Sequence, residues 1–436
     1  MQKLMPLVVL SGSAGYSIHA MQQETILAKQ MSNEIVLEGI KGFPQELKRH
    51  IIFFLLQTHR GYRFSLLKKL PDIDRPFFDV VFTPNGEVFG ICTGSDTLYL
   101  RSSNTGEVTS TLKGPTDHIF AEAFSSDGEL FGAGLEDTTA GIWDSKTKAL
   151  RILAGHTSCV SSVVFSPNGK TVFTGTQRDK IAYLWDAKTG VFLKALPINT
   201  KLIIDPVFSP NGETILIGTN QGTAYLWSSE TGELVTTFQG HNLNICSLTF
   251  SSNGETILAG YPDQTVYVWD SKTGEVLHIF KEVSTGSSSV EFSPDAETFI
   301  TIPDYGNNAC LWSSKTGELV TTFQGHTGRI SCVSFSSNGE LLLTGSEDAT
   351  VRVWNVQTGE LLTTLDGHTM AITALGVSPD KGIVVTGSED GTACIWRSLW
   401  NLEGLTSEQK RAYFKHFMTY YPLLQDTSNS VNNDTP

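Results

Sequence analysis

The most constraining feature of this 436-residue chain is a motif that returns about every forty-two residues. Each copy contains a turn of the Phe-Ser-Pro-Asn-Gly type, then a Trp on a short strand, then Thr-Gly-Glu. The residue before the turn recurs at spacings of 42, 41, 43, 42, 42, 43 and 42, at Phe82, Phe124, Phe165, Phe208, Phe250, Phe292, Phe335 and Val377. Repeats of this length form one array with a shared core. The sequence therefore predicts eight structural units.

A single repeat predicts four antiparallel strands. Residues 330–335 alternate apolar and polar side chains, as a half-buried strand does. Asn338-Gly339 suits a tight hairpin turn, and Thr358-Gly359 marks a later turn. Four-stranded units arranged around a ring form a β-propeller. We therefore predict an all-β, eight-bladed propeller over residues 61–398, with short flanking α-helices.

The ring needs a closing strand, because the eighth repeat lacks a Thr-Gly-Glu continuation after its third strand at 392–396. Residues 63–70, ahead of the first repeat, resemble residues 360–365 of the seventh. The distance from Leu70 to Phe82 equals that from Leu365 to Val377. We predict that 63–70 pairs with 392–396 and leaves no exposed edge at the junction.

Charge, cysteine spacing and hydropathy argue against several classes of ligand. The net charge of -14 would repel nucleic acid, so no nucleic-acid partner is expected. The six cysteines lie inside predicted strands without any Cys-x-x-Cys, which favours buried packing over metal binding or disulfides. No segment is long and apolar enough to span a bilayer, so membrane insertion of the mature chain is not expected.

The repeats resemble the WD-repeat (WD40) propellers over roughly three-quarters of the chain. Gly-His pairs end at His156, His241, His326 and His368, and Trp-Asp begins at Trp143, Trp185 and Trp269. The resemblance implies buried hydrogen-bond chains within three blades. Their predicted members are His156, Thr176, Asp179 and Trp185; His326, Ser346, Asp348 and Trp354; and His368, Ser388, Asp390 and Trp396. A hydrolase triad is the alternative reading, but three copies at blade positions argue for a structural role.

This resemblance implies a monomeric, non-enzymatic scaffold that holds protein or peptide partners on one face of the ring, with no cofactor or metal. The turns between second and third strands and the entries to first strands surround that face. The predicted partner-binding residues are Arg178, Tyr261, Tyr305, Arg329, Glu347, Met370 and Glu389. A quinone-dependent propeller dehydrogenase is a less favoured alternative. Its turns resemble the stretch from Asp186 to Gly190, but the Trp usual after each such Gly is missing.

The flanks suggest further roles. Residues 1–20 resemble a signal peptide, which predicts export to the periplasm, the medium or a host cell; without cleavage the chain would be cytoplasmic.

Within the N-terminal segment 21–60, residues 43–56 resemble the opening helix of an F-box. The matching residues are Phe43, Pro44, Glu46, Leu47, Ile51 and Leu55. An F-box-like substrate receptor of a ubiquitin ligase, bound to the F-box adaptor and delivered as an exported bacterial effector, is therefore an alternative function. A C-terminal helix is predicted over 399–424 and a disordered tail over 425–436.

Overall fold

A computed structural model describes residues 64–70, 79–92, 97–114, 119–198, 203–263, 265–280, 287–303, 306–379 and 382–398. The candidate signal peptide, the F-box-like helix, the C-terminal helix, the tail and Tyr305 lie outside these residues. The described part holds β-strands and no helix, so it contains no helix long and apolar enough to cross a membrane.

Thirty-two strands form eight antiparallel sheets of four. The first half of the ring contains β1 (Phe64–Leu70); blade 1 with β2 (Asp79–Phe82), β3 (Val88–Cys92), β4 (Thr97–Ser102) and β5 (Val108–Lys113); blade 2 with β6 (Ile119–Phe124), β7 (Leu130–Leu135), β8 (Thr139–Asp144) and β9 (Leu150–Ala154); blade 3 with β10 (Val160–Phe165), β11 (Thr171–Thr176), β12 (Ile181–Asp186) and β13 (Phe192–Pro197); and blade 4 with β14 (Ile203–Phe208), β15 (Thr214–Thr219), β16 (Thr223–Ser228) and β17 (Leu234–Gln239).

The second half contains blade 5 with β18 (Ser247–Phe250), β19 (Thr256–Gly260), β20 (Val266–Asp270) and β21 (Val276–Phe280); blade 6 with β22 (Ser287–Phe292), β23 (Thr298–Pro303), β24 (Ala309–Ser313) and β25 (Leu319–Phe323); blade 7 with β26 (Ile330–Phe335), β27 (Leu341–Ser346), β28 (Thr350–Asn355) and β29 (Leu361–Asp366); and blade 8 with β30 (Ile372–Val377), β31 (Ile383–Ser388) and β32 (Ala393–Ser398). The predicted eight-bladed propeller is confirmed.

Strand β1 supplies the fourth strand of blade 8, as predicted. It pairs antiparallel with β32 from Phe64 opposite Ser398 to Leu70 opposite Ala393. The first strands of blades 1 and 8, β2 and β30, also contact each other. The pairing extends two residues beyond the predicted limit of 396, and it joins the two ends of the repeat array.

The hydrophobic core lies between neighbouring blades. The cluster at the junction joins Leu70, Phe89 and Ile91 to Val385 and Ile395. Second strands such as β11 and β27 are buried along their whole length, because both sheet faces are covered. Fourth strands form the outer rim, and in β13 every residue except Leu196 is exposed. The rim is therefore exposed for binding, whereas these second strands are not.

Two kinds of turn repeat around the ring. Between first and second strands, Ser166 Oγ accepts a hydrogen bond from Thr171 N at 2.9 Å while Gly169 adopts a φ of 68°, as the Asn-Gly pattern predicts. Between third and fourth strands, Asp186 Oδ1 accepts from Thr189 N at 2.8 Å. Ser228, Ser313 and Asn355 replace this Asp in other blades and accept the same bond. The Asp of each Trp-Asp pair is therefore a turn cap.

Candidate functional site

Blades 3, 7 and 8 each contain a buried chain of polar side chains beneath one face of the ring. In blade 7, Trp354 Nε1 donates to Thr344 Oγ1 at 2.9 Å, and that hydroxyl lies 2.8 Å from His326 Nε2. His326 Nδ1 lies 2.8 Å from Asp348 Oδ2. An ionised carboxylate can only accept, so Nδ1 carries the proton and the Thr344 hydroxyl donates to Nε2.

The same geometry recurs in the other two blades. The hydroxyl of Thr174 lies 2.9 Å from His156 Nε2 and accepts from Trp185 Nε1 at 2.8 Å. In blade 8, Thr386 Oγ1 lies 2.8 Å from His368 Nε2 and accepts from Trp396 at 3.0 Å. All three chains thus contain Trp, Thr, His and Asp in the same order.

The hydroxyl members of these chains correct the sequence prediction. The bridging residues are Thr174, Thr344 and Thr386, each two positions before the predicted Thr176, Ser346 and Ser388. The predicted hydroxyls cap the following turns: Thr176 Oγ1 accepts from Asp179 N, Ser346 Oγ from Asp348 N, and Ser388 Oγ from Asp390 N. Residues two apart on a strand share a face, so periodicity alone could not separate the candidates. One sequence signal could have identified the bridging residues: in all three blades, the bridging Thr directly precedes a Gly on the second strand.

The arrangement resembles a hydrolase triad, but its environment makes nucleophilic chemistry inaccessible. Thr174, Thr344 and Thr386 are fully buried, and each hydroxyl oxygen already accepts from a Trp. Burial lowers the pKa of His156, His326 and His368, which keeps them neutral. Burial alone would raise the pKa of Asp348, but hydrogen bonds from Thr350, His326 and Thr327 N outweigh it and lower this pKa to about 2. The chains therefore satisfy buried polar groups.

Each Asp of the chains also joins the two loops that form the ring face. Asp179 lies in the turn between second and third strands, yet its Oδ2 accepts from Thr157 N, 2.9 Å away at the entry to the first strand. Asp348 and Asp390 bind the corresponding amides of Thr327 and Thr369 at 3.0 Å. The loops are therefore held in fixed positions on these three blades.

Four predicted partner-binding residues are exposed on this face: Arg178, Glu347, Met370 and Glu389. On blades 7 and 8, hydrogen bonds join the two loops that carry these residues. Glu347 N donates to the carbonyl of Arg329, which is half-buried, at 2.8 Å. Ser388 Oγ donates to the carbonyl of Met370 at 2.9 Å, and Glu389 N donates to the Ala371 carbonyl at 3.0 Å. Blades 7 and 8 thus place four of the predicted residues, Arg329, Glu347, Met370 and Glu389, on loops that are hydrogen-bonded to each other within each blade.

Tyr261 is not part of the exposed face. Its side chain is fully buried, and its hydroxyl donates to the Gly222 carbonyl of blade 4 at 2.8 Å. Burial raises the pKa of Tyr261 far above its ordinary value. The residue stands where blades 7 and 8 carry a small Ser, and its ring extends into the contact with blade 4. The prediction of Tyr261 as a partner-binding residue is therefore wrong, because its side chain is buried between blades 4 and 5.

Blade 5 lacks the buried chain, because Ala259 takes the place of the bridging Thr. The indole Nε1 of Trp269 finds no hydrogen-bond partner among the described residues. His241 is partly exposed, and its Nε2 rather than Nδ1 lies 3.3 Å from Asp263 Oδ2. This Gly-His pair therefore has a different structural role from the other three.

The inner strands of blades 2 to 5 line a cavity of about 370 Å³. Its wall combines small apolar side chains with the polar residues Glu122, Ser162 and Asp205. Desolvation by the walls raises the pKa of Asp205. Among the described residues, no group of three His, Cys, Asp or Glu side chains is placed to hold a metal ion, and Cys159, Cys246, Cys310, Cys332 and Cys394 are free thiols.

Two family descriptions match this chain. The IFT122 first beta-propeller matches residues 76–302, about half of the chain, and the WD domain, G-beta repeat matches residues 317–355 and 359–397. The chain is also similar to a computationally designed protein, Ika8, with a TM-score of 0.67 and 25% identity. That likeness covers 76% of this chain and 99% of the designed one.

Curated relatives match shorter stretches. The guanine nucleotide-binding protein subunit beta of Solanum tuberosum is 31% identical over 149 residues, which are 32% of this chain and 36% of the relative. Nuclear distribution protein PAC1 of Candida tropicalis is 44% identical over 59 residues, 14% of this chain and 12% of the relative. The chain thus spans about a third or less of the length of these relatives. Family matches, repeat motifs and the eight-bladed ring together show that the chain belongs to the WD40-repeat β-propeller family.

Proposed function

We propose that this protein is a non-enzymatic scaffold that binds a protein or peptide partner on the ring face. WD40 propellers generally bind protein partners and typically lack enzymatic activity. The observation that carries the proposal is the double role of Asp179, Asp348 and Asp390. Each fixes both loops that border the face, and a surface ordered before binding loses less conformational entropy when a partner docks.

The proposed contact surface contains Arg178 on blade 3, Glu347 on blade 7, and Met370 with Glu389 on blade 8. Charged and apolar side chains are mixed there, which suits a partner that offers both ion pairs and an apolar side chain for Met370. Of these, Arg and Met are the types enriched at the centre of interfaces, so we expect Arg178 and Met370 to contribute most.

A charge-neutral pair of variants tests the proposal. The face variant combines Arg178→Glu and Glu347→Lys; the control combines Glu255→Lys and Lys272→Glu in turns on the opposite face. We expect quantitative affinity purification to show partners that bind the wild type and the control but are lost from the face variant. Equal recovery by both variants, with thermal melting unchanged, would place the binding surface elsewhere.

We also propose a more specific function. Residues 43–56 would bind the F-box adaptor, and the propeller face would hold the substrate of a ubiquitin ligase. The order Pro44, Glu46, Leu47, Ile51 and Leu55 supports it. Purified adaptor should bind the wild type and fail to bind a Leu47→Glu variant, while Lys48→Gln serves as control. If the adaptor does not bind the wild type, only the proposed scaffold function remains.

Export is proposed from residues 1–20, and N-terminal sequencing of the secreted protein would detect cleavage after Ala20.

A further inference from the structure

The outer rim of blade 3 differs from the other fourth strands. Three consecutive apolar side chains lie exposed there: Val191, Phe192 and Leu193, at 59, 50 and 40%. Other blades also expose apolar residues on this strand, but a Glu precedes them in five blades, at Glu107, Glu233, Glu275, Glu318 and Glu360. A charge at a sheet edge discourages association with other chains. Val191 replaces that Glu in blade 3, so its apolar rim lacks this protection.

Blade 3 is also the most basic blade of an acidic ring. Residues 160–198 contain five basic and two acidic side chains, a net charge of +3, whereas blade 4 (203–239) has four acidic and no basic ones. Both acids of blade 3 are already engaged. Asp179 binds His156 and Thr157, and Asp186 caps its own turn through Thr189. Both carboxylates therefore already accept hydrogen bonds, and Asp186 also interacts electrostatically with Lys188.

Blade 2 contributes a second cation to the same rim. Arg151 lies on β9 and pairs with Ile142 of β8. Lys194 lies on β13 and pairs with Leu184 of β12. Arg151 and Lys194 therefore occupy equivalent positions on adjacent blades. The turn of blade 3 packs on Arg151: a Cβ placed on Gly190 would lie 3.5 Å from the Arg151 Cβ. Arg151 Nη1 has no hydrogen-bond acceptor among the described residues. Arg151 and Lys194 thus flank the exposed apolar residues.

We propose that this rim, defined by Arg151, Val191, Phe192, Leu193 and Lys194, docks an acidic segment of a partner protein that also carries apolar side chains. The apolar side chains would cover Val191 to Leu193, and carboxylates would pair with Lys194 and with Arg151 after its side chain swings outward. Charge complementarity selects the partner, because blade 3 is the most basic blade while the ring as a whole is acidic. This surface lies on the outer edge and is separate from the ring face proposed above.

The test uses a labelled peptide in which glutamate alternates with valine, titrated with the full chain by fluorescence anisotropy. The test variant combines Val191→Glu and Lys194→Thr, which are the residues that blades 4, 6 and 7 carry at these positions, so it should fold. Lys272→Glu, an exposed turn residue of blade 5, changes the net charge equally and is the control. We expect at least about tenfold weaker binding for the test variant, wild-type binding for the control, and weaker binding as salt rises.

Two results with the glutamate peptide would overturn the proposal: no saturable binding by the wild type, or equal binding by the test variant. Equal binding of a peptide that carries lysine at the glutamate positions would also overturn it. So would a wild type that binds vesicles containing phosphatidylserine but not the peptide. The last would identify a membrane surface. The single variant Lys194→Thr repeats the test if the double variant melts early. The ring-face variant Arg178→Glu with Glu347→Lys should still bind the peptide if the two surfaces are independent.

Discussion

At the residue scale, the buried polar chains show why certain side chains cannot be exchanged. Thr344 is bonded on both sides, by the Trp354 indole and by the His326 ring, so its hydroxyl satisfies two other buried groups. Ser346, the predicted member, instead accepts a turn amide. Leaving a buried donor or acceptor unsatisfied costs about 1–3 kcal/mol.

Replacing Thr344 should therefore destabilise the protein more than replacing Ser346. Thr344→Val keeps the volume but leaves both Trp354 Nε1 and His326 Nε2 without a partner, and we expect a loss of about 2–4 kcal/mol. Ser346→Ala removes one turn bond and should cost about 1 kcal/mol. Urea unfolding followed by Trp fluorescence measures both. Equal losses would mean that the hydroxyl of Thr344 is not the bridge.

Glu291 lies on the innermost strand of blade 6, and its ionisation should make the free energy of unfolding depend on pH. Burial raises its pKa to about 7, above the value of about 4.5 for the unfolded chain. The folded state then binds more protons between these values, so this group lowers stability as pH rises from about 4.5 to 7. Glu291→Gln should match the wild type near pH 4.5 and exceed it at pH 8, by at most about 3 kcal/mol.

The three buried His residues act in the opposite direction, because their lowered pKa favours folding above their unfolded value of about 6.5. The comparison must therefore use the difference in unfolding free energy between the two proteins at each pH, which cancels the shared His contribution. A difference that does not change between pH 4.5 and 8 would contradict the assigned pKa of Glu291.

At the element scale, blades keep their geometry although individual motif residues vary. Ser or Asn replaces Asp in the turn before the fourth strand because each can accept the same amide bond. Blade 5 loses the buried chain, but the buried ring of Tyr261 forms a bond across to Gly222 of blade 4. Blade 5 thus gains a hydrogen bond to the neighbouring sheet, while the Trp269 indole stays without the Thr partner that the corresponding Trp has in blades 3, 7 and 8.

Gly222 should be much more sensitive than Gly232, although both adopt nearly the same φ, 76° and 74°. A Cβ at Gly222 would overlap the carbonyl oxygen of His241 and lie 2.6 Å from that of Leu243, whereas at Gly232 it would meet the flexible Lys194 side chain at 3.3 Å. We expect Gly222→Ala to cost about 2 kcal/mol more than Gly232→Ala. Equal midpoints in urea would mean that the loop of blade 5 moves aside.

At the scale of the whole molecule, stability depends on joining the two ends of the repeat array. Strand β1 brings Lys69 to blade 8, where its Nζ donates to the Gly367 carbonyl at 2.8 Å and lies 3.6 Å from Asp390, a largely buried carboxylate. Leu70 completes the core between blades 8 and 1. Without β1, the third strand β32 would present an unpaired edge.

Deleting residues 63–70 should therefore abolish the single cooperative melting transition and promote aggregation. As a matched control, residues 65–70 are replaced by Glu-Leu-Leu-Thr-Thr-Leu, copied from blade 7, which restores the strand without Lys69. We expect this protein to melt cooperatively, with a loss of about 1 kcal/mol for the missing lysine contacts. Calorimetry distinguishes these outcomes, and an unchanged transition after deletion would refute closure by β1.

The sequence by itself determined the number of blades, the four strands of each and the closing strand, because a repeat period, alternating side chains and Asn-Gly turns are local signals. Only the tertiary structure decided which hydroxyl bridges His to Trp, and that Tyr261 is buried while Arg178 is exposed. Those outcomes depend on which side chain of a neighbouring strand or blade reaches a given position. Contacts between residues distant in the chain leave no periodic pattern, so they could not be predicted from a single sequence.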